Sequence, residues 1–152
     1  VFVIPRFLAG GMAAALIVLA PVAALAGRQD RLKDYPLYLV LDDPAFQARL
    51  PAGVSYYFAD EPVTVKQIIG PTSTNRRTAA SNRGDMANCR WAMLSGLIAL
   101  GEDAKARGGN AVIGIKSNFK GDLVASQDSF RCGVGKMMVG VTLVGEVAVV
   151  VE

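Results

Sequence analysis

The alternation of apolar and polar positions changes along the chain, and each change marks a candidate element. Residues 7–20 are apolar without a period, Pro21 interrupts them, and Ala23-Ala24-Leu25-Ala26 follows. Residues 27–34 (GRQDRLKD) carry no apolar pattern and read as a flexible N-terminal tail. Residues 35–41 (YPLYLVL) are rich in β-formers, and Pro36 suits the first or edge position of a strand. Asp42-Asp43-Pro44 reads as the start of a short helix near 43–50, with Asp43 as N-cap, Pro44 in the first turn and Pro51 as the stop. Residues 54–59 (VSYYFA) and 63–69 (VTVKQII) are aromatic and β-branched, and Asp60-Glu61-Pro62 between them suggests a hairpin or tight connection.

Residues 70–85 (GPTSTNRRTAASNRGD) hold turn-formers and three arginines without apolar periodicity. They read as the longest loop, with at most a piece of strand around 74–78. The clearest helix spans 86–107, where Cys89, Met93, Leu94, Leu97, Ile98, Leu100 and Ala104 recur at spacings of three and four. Asp85 can cap its start, Lys105 and Arg107 suit its negative end, and Gly108-Gly109 stops it. Ser95 and Gly96 allow close approach to a sheet or second helix. A short buried strand at 111–117 (AVIGIKS) returns the chain to a sheet, and 118–130 reads as a loop or irregular hairpin tip. Residues 136–151 (KMMVGVTLVGEVAVVV) are the longest strand signal, in which Gly140 and Gly145 suggest a bulge or a close backbone approach. The expected fold is α+β: one domain over 35–152, a mostly antiparallel sheet of about four to six strands, with the 86–107 helix packed on one face.

Composition separates a leader from this domain. Of 152 residues 52% are hydrophobic, but 21 of those fall in the first 26 positions. Arg6, an apolar run and Ala24-x-Ala26 are laid out as a signal peptide (1–26) cleaved between Ala26 and Gly27, which implies a periplasmic or secreted protein. The rival reading is an uncleaved anchor, because residues 7–26 match the roughly 20 residues a bilayer core requires. A membrane would then be met only through this leader. Export favours a disulfide between Cys89 and Cys132 over free thiols; a redox or catalytic thiol is the alternative.

The chain has no histidine, which removes imidazole ligands, His bases and Ser-His or Cys-His nucleophile pairs. Gly133-Val134-Gly135-Lys136 is followed by Met137 and leads into a strand, so it does not make a phosphate-binding loop. Gly133 and Gly135 read instead as turn residues beside Cys132. The acidic pairs Asp42/Asp43, Asp60/Glu61 and Glu102/Asp103 fit a cap, a turn and a polar helix face better than cation sites. Arg76, Arg77 and Arg83 form a candidate interaction loop. With Arg6 removed, 15 basic residues face 13 acidic ones, too slight a balance to imply nucleic acid.

Several strings resemble a family of small exported bacterial proteins often labelled "excinuclease ATPase subunit". They are Cys89-Arg90-Trp91-Ala92, Leu94-Ser95, Ala104-Lys105, Gly109-Asn110-Ala111-Val112, Ile115-Lys116-Ser117, Ser126, Cys132-Gly133, Gly140-Val141 and Leu143-x-Gly145. The label conflicts with the missing ATP-binding loop and with a leader that directs the chain away from DNA. More distantly, the helix followed by Gly-Asn-Ala-Val and a strand is similar to the YbjQ-type domain and to the envelope stress sensor RcsF. This resemblance implies a compact α+β fold on a central helix and a disulfide-stabilised periplasmic domain. RcsF-type domains use four cysteines and a lipid anchor, whereas this chain has two cysteines and none directly after the apolar run. The heavy-metal binding ascribed to YbjQ-type proteins finds only Cys89 and Cys132 and no histidine to carry it.

These readings lead to a non-enzymatic, disulfide-stabilised envelope domain that needs no cofactor and acts through protein or envelope contacts with an envelope protein partner. The alternative is a metal- or small-ligand-binding domain that forms oligomers.

Overall fold

The computed structural model describes residues 31–152. The leader, its cleavage site and tail residues 27–30 lie outside them. The order is β1 (Arg31–Pro36), α1 (Tyr38–Leu41), α2 (Pro44–Gln47), β2 (Ser55–Phe58), β3 (Val65–Ala79), α3 (Asp85–Ala106), β4 (Ala111–Phe119), β5 (Asp122–Val124), β6 (Ser129–Val134) and β7 (Met138–Val150). The strands form one curled sheet of seven, larger than expected, and all its pairs are antiparallel except β2 with β4.

β7 is the hub. Its apolar run pairs with β3 along Met138–Val150, so β4 and β6 share its other edge. β6 takes Val139 and Gly140, and β4 takes Leu143 to Ala148. β1 then joins β6, β2 joins β4, and β5 folds back on the end of β4. β3 and β4 run parallel on either side of β7, connected by α3 across one face.

That face holds the main core. Cys89, Met93, Leu94, Leu97, Leu100 and Ala104 of α3 are fully buried, as their spacing predicts, against Val139, Val141, Leu143 and Val147 of β7. Close approach depends on Gly96, where a Cβ would stand 3.0 Å from Leu143 Cδ1 and 3.3 Å from Val141 Cγ2. Ser95 faces outward and takes no part in the approach. The far side of α3 is covered by α1 and α2: Leu37, Val40 and Phe46 are buried, and the Phe46 and Trp91 rings lie 4.8 Å apart. Arg90 fastens this cover, donating to the Leu39 carbonyl (2.7 Å) and to Asp43 (2.6 Å). Asp43 also caps α2 by accepting from the Ala45 amide at 2.9 Å. On the sheet's other face a small cluster of Ala111, Ile113, Ala148 and Val150 packs with Tyr57 and Val63. Gly114, at φ 61°, shifts the β4 register so that Ile113 serves this cluster while Ile115 enters the main core.

Several boundaries differ from expectation for identifiable reasons. Residues 31–34 are not a tail: they form β1, which Asp34 ties to β6 through both of its oxygens on Arg131 (2.9 and 3.0 Å). The 35–41 run is divided, because Pro36 ends the strand and Leu37 and Val40 enter the core one helical turn apart. The short helix covers only Pro44–Gln47. Segments 54–59 and 63–69 make no hairpin, since β2 pairs with β4 and β3 with β7. Within 118–130 the chain forms β5 and the start of β6. The N-cap of α3 is Gly84 rather than Asp85, whose carboxylate accepts from Lys33 (2.7 Å) and Arg31 (3.4 Å).

Cys89 and Cys132 are joined in a disulfide, with their Cα atoms 6.0 Å apart, fixing α3 to β6. Closing a loop of this length contributes about 4 kcal/mol in the chain-entropy model. Cys89→Ala with Cys132→Ala is therefore expected to lower the unfolding free energy by about 3–4 kcal/mol in urea titrations. A loss below about 1 kcal/mol would show that loop entropy is not what this bond supplies. Acid gives a second test. The Arg131 guanidinium holds the Asp34 carboxyl below its ordinary 3.8, so its contribution is present above that value and is lost as pH falls through the lower folded one. Asp34→Asn is expected to cost about 0.5–1 kcal/mol at pH 7, as befits a half-exposed pair, and to flatten the decline in urea midpoint below about pH 4.

Candidate functional site

The strand β3 brings the expected interaction residues into a different setting. Gly70 to Ala79 are strand rather than loop, and only residues 80–84 form the turn into α3. The segment carries a strand without an apolar signal because β7 supplies the template and only one face of β3 is covered, by α3. That face needs no large apolar residue. Thr72 is buried and donates through its hydroxyl to Asp103 (2.7 Å), and Thr74 lies beside Gly96. Arg76 and Arg77 are consecutive in the strand and so project to opposite faces, while Arg83 sits in the following turn.

The second edge of β3 pairs with no strand among the described residues. The Ala80 amide donates to the Met137 carbonyl at 2.8 Å, which fixes the alternation. Thr72, Thr74, Arg76 and Thr78 turn their backbone groups toward β7, and Ser73, Asn75, Arg77 and Ala79 turn theirs outward. Pro71 belongs to the outward set, where its missing N–H costs no ladder bond, and its carbonyl accepts from Arg107 at 2.9 Å. Ser73, Asn75, Arg77 and Ala79 are all exposed.

At the sheet end where β3 finishes and β7 begins, a shallow cleft of about 260 Å³ opens on the face away from α3. Gly133 of β6 and Gly140 of β7 are cross-strand partners in its floor, between Phe119, Arg77, Lys136 and Met138. Gly133 is therefore a strand residue rather than part of the turn, and a Cβ there would run into the Phe119 ring. Arg76, Arg77, Arg83 and Lys136 have no carboxylate partner among the described residues.

Four residues of the acidic pairs are occupied elsewhere. Asp43 is the cap; Asp60 accepts from Gln127 (2.7 Å); Glu61 accepts from the Phe58 amide (3.0 Å); and Asp103 accepts from Thr72 and Arg107. The Thr72 hydroxyl and the Arg107 guanidinium hold the Asp103 carboxyl below its ordinary value. Burial pushes the Tyr56 phenol up, and it serves as a donor to the Leu97 carbonyl at 2.9 Å. Among the described residues no group of three His, Cys, Asp or Glu stands close enough to hold a metal ion, and no helix is long and apolar enough to cross a membrane.

No family model, curated protein or solved structure matches the chain. The site is therefore defined by its geometry. The disulfide is compatible with an extracellular, disulfide-stabilised domain. Sequence reasoning found the arginines but missed the edge and Lys136. Thr72, Thr74 and Thr78, alternating across 72–78, were the available signal, a period of two without hydrophobicity.

The outward and inward sets make opposite predictions. Asn75→Pro removes an unpaired N–H and should change the unfolding free energy by less than about 1 kcal/mol, whereas Thr74→Pro removes a ladder bond and should cost about 3 kcal/mol. Equal losses in urea titrations would show that the edge is not free.

Proposed function

We propose that this chain is an exported, non-enzymatic, disulfide-stabilised domain of the bacterial envelope that accepts an extended acidic segment of an envelope protein on the outer edge of β3. The observation that carries the reading is the outward row of Ser73, Asn75, Arg77 and Ala79, whose backbone donors and acceptors lie exposed on a 15-residue strand. An added strand takes its affinity from such groups and its specificity from side chains beside them. The unpaired Arg76, Arg77 and Arg83 set that specificity toward carboxylates.

A second copy of the chain fits the edge less well. Antiparallel pairing of two β3 strands centred near Asn75 brings the Arg76 side chains of the two copies to diagonal positions about 7–8 Å apart on one face, where like charges repel. The leader expected at residues 1–26 and the resemblance to exported bacterial proteins agree with an envelope location, as does the disulfide.

The test is a photo-crosslinking residue in place of Ser73, with the full chain expressed in a bacterial envelope. One discrete adduct with an envelope protein is expected, and adding Asn75→Pro should abolish it while the oxidised cysteines and unfolding midpoint are kept. No adduct, an adduct that survives Asn75→Pro, or an adduct of the chain with itself overturns the reading.

A further inference from the structure

We propose that the sheet end at which β1 begins is a contact for an anionic phospholipid surface, with Met137 and Met138 entering the interface and Lys136 and Arg77 meeting headgroup phosphates. This surface adjoins the β3 edge and shares Arg77 and Arg83 with it, but it rests on Met137, Met138 and Lys136, which the edge does not use, and it departs from the expectation that only the leader meets a membrane.

Four chain segments meet at this end: the start of β1, the 80–84 turn into α3, the 120–121 turn after β4, and the 135–137 turn between β6 and β7. Exposed apolar side chains gather there. Met137 is 80% exposed, and Met138, Met86 and Leu32 are each close to half exposed. Leu32 lies opposite Gly133, and Met138 opposite Ala79 at the end of β3. Flexible thioethers on a projecting turn can enter an acyl boundary without rearranging the fold.

Charge surrounds them. Lys136, Arg77 and Arg83 carry no carboxylate partner among the described residues, and the nearby Asp85 is already shared by Arg31 and Lys33. Apolar tips ringed by cations are the arrangement that interfacial binding to anionic lipid requires. A cleft adds a recess: beside the Phe119 ring that covers Gly133 and the Arg77 stem that lies over Gly140, the space toward Lys136 is open to a phosphate ester. Connectivity points the same way, because β1 starts at Arg31, directly after the segment that links the apolar run to the domain. An acidic protein segment would use the cations but has no need of a protruding Met137.

The experiment reads insertion at the residue itself, so that it does not depend on whether the leader is retained. Met137→Trp is made in the full chain, and its emission is compared with that of the unchanged chain, whose single Trp91 packs against Phe46. Vesicles of about 30% phosphatidylglycerol in phosphatidylcholine should shift the added emission to the blue and allow quenching by brominated acyl chains; phosphatidylcholine alone should do neither. Lys136→Ala and Arg83→Ala should each weaken the partition roughly five-fold, and Lys136→Arg should restore it, since each cation near an anionic surface is worth about 1 kcal/mol. Asn75→Pro should leave the response unchanged, which separates this inference from the edge-strand reading. An added emission that ignores both vesicles, or responds equally to both, overturns the proposal. A response to inorganic phosphate alone also overturns it, assigning the recess to a soluble anion instead.

Discussion

β7 satisfies its backbone from three strands, and the rest of the domain is arranged around that requirement. A 13-residue apolar strand buried for most of its length cannot leave peptide groups unpaired, because each orphaned group costs on the order of 1–3 kcal/mol. One edge is closed by a single long partner, β3, and the other by β6 and β4 in succession. The end of β4 closes onto β6, where the Ser117 hydroxyl oxygen accepts from the Arg131 amide at 3.1 Å. The recess beside Gly133 and Gly140 lies at that junction, where Phe119 from the end of β4 covers Gly133. The recess is thus a by-product of how β7 completes its hydrogen bonds.

α3 is held from both sides, and the two sides use different physics. Toward the sheet, the contact is apolar packing made close by Gly96 and fixed covalently through Cys89 and Cys132. Toward α1 and α2 it is a partly polar lock, in which the Arg90 side chain meets a carbonyl, a carboxylate and the face of Phe46 at 4.8 Å. Helices of four residues have little stability of their own, so α1 and α2 persist because they cover the helix. Among the described residues no buried side-chain nitrogen or oxygen lacks a partner, which leaves polar capacity for binding on the exterior.

The legibility of the sequence followed the source of each element's stability. The buried stripe of α3 and the apolar runs of β4 and β7 are written in their own residues, and their positions were readable to within a few residues. The first part of β3 was also readable as the 63–69 strand, but its continuation over 70–79 and β1 were not, since both are polar segments whose strand conformation comes from a neighbour: β3 from β7, β1 from β6 through Asp34 and Arg131. The 35–41 run misled for a related reason, as YPLYLVL suits a strand locally but Leu37 and Val40 gain more burial as one helical turn. The arginines of 76–83 were visible as charges, but that Arg76 and Arg77 face opposite ways follows only once the segment is known to be a strand.

An exposed edge on a strand of this length invites indiscriminate pairing, and β3 carries several features that oppose it. Pro71 removes one donor, and register shifts at 65/67 and 68/70 break its flatness. Arg107 already occupies the Pro71 carbonyl, leaving the outward row from Ser73 to Ala79 as the usable stretch. Within that stretch the arginines repel a second copy of the same strand. An edge protected this way excludes aggregation by flatness and self-pairing by charge, while leaving intact the hydrogen-bonding row that a negatively charged strand needs. On the proposed reading, protection and selectivity are one property, because the same guanidinium groups that make β3 a poor partner for itself would favour a carboxylate-bearing strand.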